Sequence, residues 1–137
     1  MSIRKYAVSE TATLHLQDAE GNLIYADEEE SRPVEIVLYG PGSKEFAAAQ
    51  QRRQDAMVSK LQRGSRAKKL TQEEAEKMRL EFLVQCTASS NNLELDGQTG
   101  TELYRAVYSD RSLGFIADQV DRFMGDWGNF STSAAKS

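Results

Sequence analysis

The chain has 137 residues, of which 39% are apolar and 28% charged, with a formal net charge of -4. That length fits one domain, expected over 1–130 with a short disordered tail at 131–137, and it is enough to bury a cooperative core. The charge is too small to imply a nucleic-acid or membrane partner, the N-terminus lacks a secretion-signal core, and no apolar run approaches the roughly 18 residues that span a bilayer.

Residues 11–17 alternate, with Leu14 and Leu16 on one face and Thr13 and His15 on the other, before turn-forming Asp18 to Asn22. This predicts a strand entering a hairpin, with a return strand at 23–26. Beyond the acidic residues Asp27 to Glu30 and Pro33, the positions Val34, Ile36 and Leu38 alternate with Glu35, Val37 and Tyr39. The N-terminal third is therefore expected to hold three short antiparallel strands. Gly40, Pro41 and Gly42 stop the last strand, Ser43 offers an N-cap oxygen and Glu45 suits the first turn of a helix over 43–63. Its apolar stripe of Phe46, Ala49, Ala56, Met57 and Leu61 shares an arc with Gln50 and Arg53, which predicts a half-exposed helix.

Residues 63–69 are basic, contain Gly64 and lack apolar spacing, so they read as a solvated loop. Thr71 to Glu74 form a capping box that starts a second helix, with Ala75, Met78, Phe82, Leu83 and Cys86 on one stripe and an end near Ser90, Asn91 and Asn92. A short extended piece at 93–97 precedes a helix capped by Thr101 and carrying Leu103, Tyr104 and Val107. The strongest periodicity comes last. Over 110–130, Leu113, Ile116, Ala117, Val120, Phe123, Met124 and Trp127 share a helical stripe, while Asp118, Asp121 and Arg122 fall away from it. Asp110 or Ser112 is the expected cap, and Gly125 and Gly128 mark where regular structure should fail. The expected fold is a small α+β domain, an N-terminal antiparallel sheet against about four helices, with Met78, Phe82, Leu113, Ile116, Val120, Phe123 and Trp127 in the core.

Chemistry-bearing patterns are scarce. His15 is the only histidine, which leaves no material for a His-dependent triad or a His-rich metal site, and its strand position reads as structural or solvent-facing. Cys86 is the only cysteine, so no intramolecular disulfide can form and a cytosolic setting is the simple reading. Its place on an apolar stripe reads as buried and inert rather than nucleophilic. Gly40 to Lys44 lacks the spacing that wraps a phosphate. Arg52, Arg53, Lys60, Arg63, Arg66, Lys68 and Lys69 form one basic concentration without interleaved aromatics. It reads as a solvated face first, an acidic protein surface second and nucleic acid third. The acidic runs near Glu20 and at 27–30 could face it, within the fold or between copies. No catalytic, cofactor-binding or metal-binding residue is expected, and an enzyme is the least favoured class.

The order of VEIVLYGPGSKEFAAAQQRR, KLTQEEAEKMRLEFLVQCTASSNNLELDG and ELYRAVYSDRSLGFIADQVDRFMGDWGNF with a small polar end resembles tail assembly chaperones of long-tailed bacteriophages and prophages. The likeness covers about residues 34–137 and is one of overall pattern, with a departure in the Tyr104 to Tyr108 spacing. It implies a non-enzymatic protein of the host bacterial cytoplasm, absent from the mature virion, that binds the tape measure protein and promotes polymerisation of the tail tube protein. In that family a programmed ribosomal frameshift near the end of the gene often yields a longer form, for which 131–137 is the place of extension. The candidate partner surface is the mixed face of Phe46, Arg52, Arg53, Met57, Lys60 and Leu61, and self-association stays open. The rival readings are a structural tail or head-tail completion protein of the virion and a small nucleic-acid-binding regulator.

Overall fold

The computed structural model describes residues 2–63 and 70–131. A 3₁₀ turn at Ile3–Tyr6 leads into β1 (Thr11–His15), which pairs antiparallel with β2 (Glu35–Tyr39). Leu14 stands opposite Ile36 and Ala12 opposite Leu38, so the apolar members of both alternating runs share one face. Leu16, Ile36 and Leu38 are fully buried on that face, as their spacing predicts.

The third strand is a correction to the expected topology. It is β3 (Thr87–Asn91), paired antiparallel to the far side of β2, so the strand order is β1-β2-β3 and the sheet is not wholly N-terminal. Residues 23–26 make only isolated bridges, Gln17 with Leu23 and Tyr25 with Pro33. Ile24 N–H still donates to the Leu16 carbonyl at 2.9 Å and Ala26 N–H to the Arg32 carbonyl at 2.8 Å, and side chains close the turns on either side. Asp18 accepts from the backbone N–H groups of Glu20 and Asn22, and Asp27 accepts from those of Ser31 and Arg32, so the loops close on carboxylates. The Asn22 N–H at Asp18, and at Asp27 the Ser31 hydroxyl first and then the Arg32 and Ser31 N–H groups, hold both carboxyl groups below the ordinary aspartate range.

Among the described residues, four α-helices lie on the inner side of the sheet: α1 (Lys44–Arg63), α2 (Gln72–Gln85), α3 (Gly100–Ser109) and α4 (Gly114–Met124). Two of the expected caps are present. The Ser43 hydroxyl accepts from Phe46 N–H at 3.1 Å, and Thr71 with Glu74 forms the reciprocal capping box. Asp110 caps a 3₁₀ turn at Arg111–Leu113 that precedes α4. Thr101 is no cap: α3 starts one residue earlier, at Gly100 with φ +58°, and Thr99 flanks it without a side-chain cap. The second helix ends at Gln85, short of Ser90, because Thr87 leaves the helical path for the sheet. Residues 93–97 form no strand.

The core joins the sheet to Phe82, Leu83, Cys86, Leu103, Val107, Ile116, Val120 and Met124. Leu113 and Phe123 are half-buried at its border, whereas Met78, expected in the core, is half-buried in the lining of the groove between α1 and α2. Trp127 departs from expectation, being 56% exposed. The helix breaks at Gly125, and Asp126 caps a 3₁₀ turn at Trp127–Phe130, so helical spacing no longer applies at residue 127. Phe130 fills the core position instead. Its ring lies where a Cβ on Gly40 would stand, 2.3 Å from that position, which is why the strand-ending residue must be glycine. Phe130 also packs edge-on to Phe123, with centroids 5.5 Å apart. The tail expected at 131–137 lies outside the described residues beyond Ser131.

Phe130→Ala should therefore lose about 3–5 kcal/mol of stability, the range for emptying a buried aromatic site. Trp127→Ala should lose clearly less. Urea titrations of both variants check this, and equal losses would overturn the placement of these two rings.

Candidate functional site

The candidate concavity lies between α1 and α2, which run antiparallel as a helical hairpin. Along α1 the positions Ala49, Arg52, Arg53, Ala56, Ser59 and Lys60 face it, a three-and-four spacing that keeps one helical face on the partner. Along α2 the facing residues are Glu74, Lys77, Met78, Glu81, Phe82 and Gln85, on the same spacing. Together they enclose about 400 Å³. Alanines at 49 and 56 leave the space that larger side chains would fill.

At the inner end the floor is aromatic. Phe46 and Phe82 pack edge to face with centroids 5.3 Å apart, and the Arg53 guanidinium lies over Phe82 at 5.2 Å. At the outer end Lys60 and Glu74 form a 3.0 Å ion pair. Glu74 also accepts from Thr71, and the Lys60 bond first, then the Thr71 N–H, hold its carboxyl below the ordinary glutamate range. Glu81 is paired away from the groove with Arg105 of α3. The Gln85 side-chain oxygen is buried and has no hydrogen-bond partner among the described residues.

The structure divides the candidate partner residues. Arg52, Arg53 and Lys60 line the groove, and Phe46 supports its floor from the core side. Met57 and Leu61 lie outside it, on the adjoining face of α1, at 38% and 42% exposure. Val58, 45% exposed, stands beside Leu61 at one-turn spacing and completes a small apolar patch that sequence reasoning missed. The α2 wall was also missed, although Glu74, Lys77, Glu81 and Gln85 recur every three or four residues. That spacing was legible once two antiparallel helices were assumed. Of the basic concentration, residues 64–69 lie outside the described residues, as does the solvated loop read there. Among the described residues, no ion pair joins the acidic segment 27–30 to a cation.

The other candidates are structural. His15 Nε2–H donates to the Ile24 carbonyl at 2.9 Å, and its ring meets Tyr25 edge-on at 4.9 Å. Cys86 is fully buried, and desolvation pushes its thiol up to about 12, which disfavours the thiolate that nucleophilic chemistry requires. The Gly40 to Ser43 turn is closed on itself, since the Ser43 hydroxyl donates to the Gly40 carbonyl at 2.7 Å. Among the described residues, no group of three or more His, Cys, Asp or Glu is placed to hold a metal, and no helix is long and apolar enough to cross a membrane. Comparison with protein-family models, with curated proteins and with solved structures gave no match.

Two measurements check the electrostatics of the site. Because the Glu74 carboxyl titrates lower when folded than when unfolded, its contribution is present above the unfolded value near 4.5 and is lost as pH falls through the folded value. Protection factors of the amides in the first turn of α2, which remove the intrinsic pH dependence of exchange, should fall over that acidic range, and Glu74→Gln should abolish this fall; an unchanged profile would refute the assignment. Cys86 should react with iodoacetamide at pH 8 only as fast as the protein unfolds, and fast native labelling would show an open thiol.

Proposed function

We propose that this chain is a non-catalytic tail assembly chaperone that holds a helical segment of the tape measure protein on the α1–α2 hairpin and promotes polymerisation of the tail tube protein around it. In this reading it acts in the host bacterial cytoplasm and is absent from the finished virion. Two things support the reading: the likeness in sequence pattern over about residues 34–137, and the form of the hairpin.

The observation that carries it is the outer half of α1. Every residue from 54 to 62 is exposed, and Met57, Val58 and Leu61 stand uncovered on adjoining turns. Folding gains nothing from apolar groups left in water, so these residues are of use mainly to a partner. The patch is small and interleaved with Arg53, Gln54 and Lys60. A chaperone that must stay soluble while it shields a long apolar helix needs that mixture, because a bare apolar surface of several hundred Å² would drive its own aggregation. Methionine adds adaptability, since its unbranched chain fits irregular partner surfaces.

Co-expression with the tape measure protein of the same phage or prophage tests the reading. The wild-type chain should keep that protein in the soluble fraction, and the triple variant Met57→Gln, Val58→Gln, Leu61→Gln should lose most of the effect. Glutamine preserves helix propensity, so circular dichroism should show the variant folded. A folded variant that solubilises as well as wild type would move the surface elsewhere. A wild-type chain that never solubilises its partner, or that mass spectrometry finds in purified virions as a stoichiometric component, would end the chaperone reading.

A further inference from the structure

The groove between α1 and α2 has a charge imbalance that specifies its occupant. Four cationic side chains, Arg52, Arg53, Lys60 and Lys77, face two carboxylates, Glu74 and Glu81. Both carboxylates are already engaged, Glu74 by Lys60 at 3.0 Å and Glu81 by Arg105 from outside the groove. Arg52, Arg53 and Lys77 therefore stand without an anionic partner among the described residues. They flank an apolar floor of Ala49, Ala56, Met78 and Phe82.

We infer that the groove takes an acidic amphipathic helix, with an apolar ridge seated between α1 and α2 and carboxylates on its flanks meeting Arg52, Arg53 and Lys77. This deepens the docking role proposed above and rests on it. The lining of α1 from Ala49 to Lys60 runs about 16 Å at the helical rise, room for about three turns of an incoming helix. Carboxylates would meet guanidinium and ammonium groups at the edge of an apolar surface, where charge pairs are less screened than in open water. The Arg53 guanidinium already lies over the Phe82 ring at 5.2 Å, at the edge of the apolar floor. A cationic helix would instead place like charges against three uncompensated cations.

Other occupants fit less well. A nucleic-acid strand wants aromatic faces for stacking, and the one aromatic ring in the lining, Phe82, is covered by Arg53. A lipid surface would have to reach an apolar floor recessed between charged walls. In a second copy of the chain, the most acidic segment, 27–30, sits in a turn that Asp27 closes through Ser31 and Arg32, without an apolar ridge.

The test uses the full chain and two labelled synthetic helical peptides of about 14 residues with identical leucine ridges at i, i+3, i+4 and i+7, one flanked by glutamates and its twin by lysines. Fluorescence anisotropy should show the glutamate peptide binding at least about tenfold more tightly, with the preference shrinking as salt is raised. The double variant Arg52→Glu, Lys77→Glu should reverse the preference; both side chains are exposed, so its thermal melt should match wild type. The inference is overturned if the twins bind equally, if neither binds, if the double variant keeps the wild-type preference, or if a duplex DNA oligonucleotide displaces the peptide. It is overturned equally if sedimentation equilibrium shows a dimer that the double variant dissociates, because the occupant is then a second copy. Tape measure protein solubilised through Met57, Val58 and Leu61 while the glutamate peptide fails would sink this inference alone. Peptide binding without solubilisation would sink the chaperone reading and leave the groove's chemistry standing.

Discussion

A single residue, Cys86, separates α2 from β3, and the geometry of the molecule follows from that junction. The Thr87 hydroxyl donates back to the Leu83 carbonyl at 2.8 Å, closing the last turn of the helix, and receives a hydrogen bond from the Tyr108 hydroxyl at 2.8 Å. The Cys86 carbonyl in turn accepts from Tyr39 N–H at 2.8 Å. Leu83, Cys86, Thr87 and Tyr108 are all buried, so their bonds must be made if the site is to stay dry, and burial pushes the Tyr108 hydroxyl well above its ordinary range. With no loop between them, helix and strand cannot reorient independently. The direction of α2 is thus fixed by the sheet, and α1, antiparallel to it, inherits that direction.

Charge then sorts the surfaces of α2 by destination. Arg79 reaches Asp118 at 2.8 Å and Asp121 at 3.2 Å, and Glu81 reaches Arg105, so two sides of the helix are tied to α4 and α3. These pairs are part exposed, and their value lies more in fixing how the helices sit than in net stability. The third side faces the groove and is tied to α1 at its two ends, by Glu74 to Lys60 and by Phe82 against Phe46, while Lys77 between them has no ion-pair partner among the described residues.

How far the sequence revealed this depended on whether local chemistry or tertiary pairing decided each element. The Ser43 and Thr71 caps were legible because they act within a few residues of themselves, whereas Asp110 caps the 3₁₀ turn ahead of α4 and not α4 itself, whose N-cap Leu113 makes no side-chain bond. Strands β1 and β2 were legible because period-two alternation survives wherever one face is buried. β3 was not: Thr87 to Asn91 is mostly small and polar, with weak strand preference, and it is a strand because β2 offers an unpaired edge next to the end of α2. An extra residue there, Ala88, lets both Thr87 and Ser90 stand opposite inward-facing Leu38 and Ile36, a bulge no spacing rule would show. Trp127 misled for the opposite reason, since helical periodicity was extended past a glycine that ends the helix. At the candidate site the cations of α1 were legible as a cluster, but their sorting into groove-facing and outward-facing residues required knowing where α2 lies.

The hairpin is held unequally along its length, and this bears on what it can do. At its base Phe46, Ala49 and Phe82 pack into or against the core. Further out the described contacts between the helices reduce to alanines, aliphatic stems and the exposed Lys60 and Glu74 pair, whose attraction is modest in water and weakened by salt. Local stability falls with distance from buried apolar area, so the outer turns of α1 open and shift more readily than the base. In the proposed docking role that gradient would let the base set where the groove points while Met57, Val58 and Leu61 on the outer turns adjust to an incoming apolar ridge, and the unpaired cations of the groove would select among such ridges by charge.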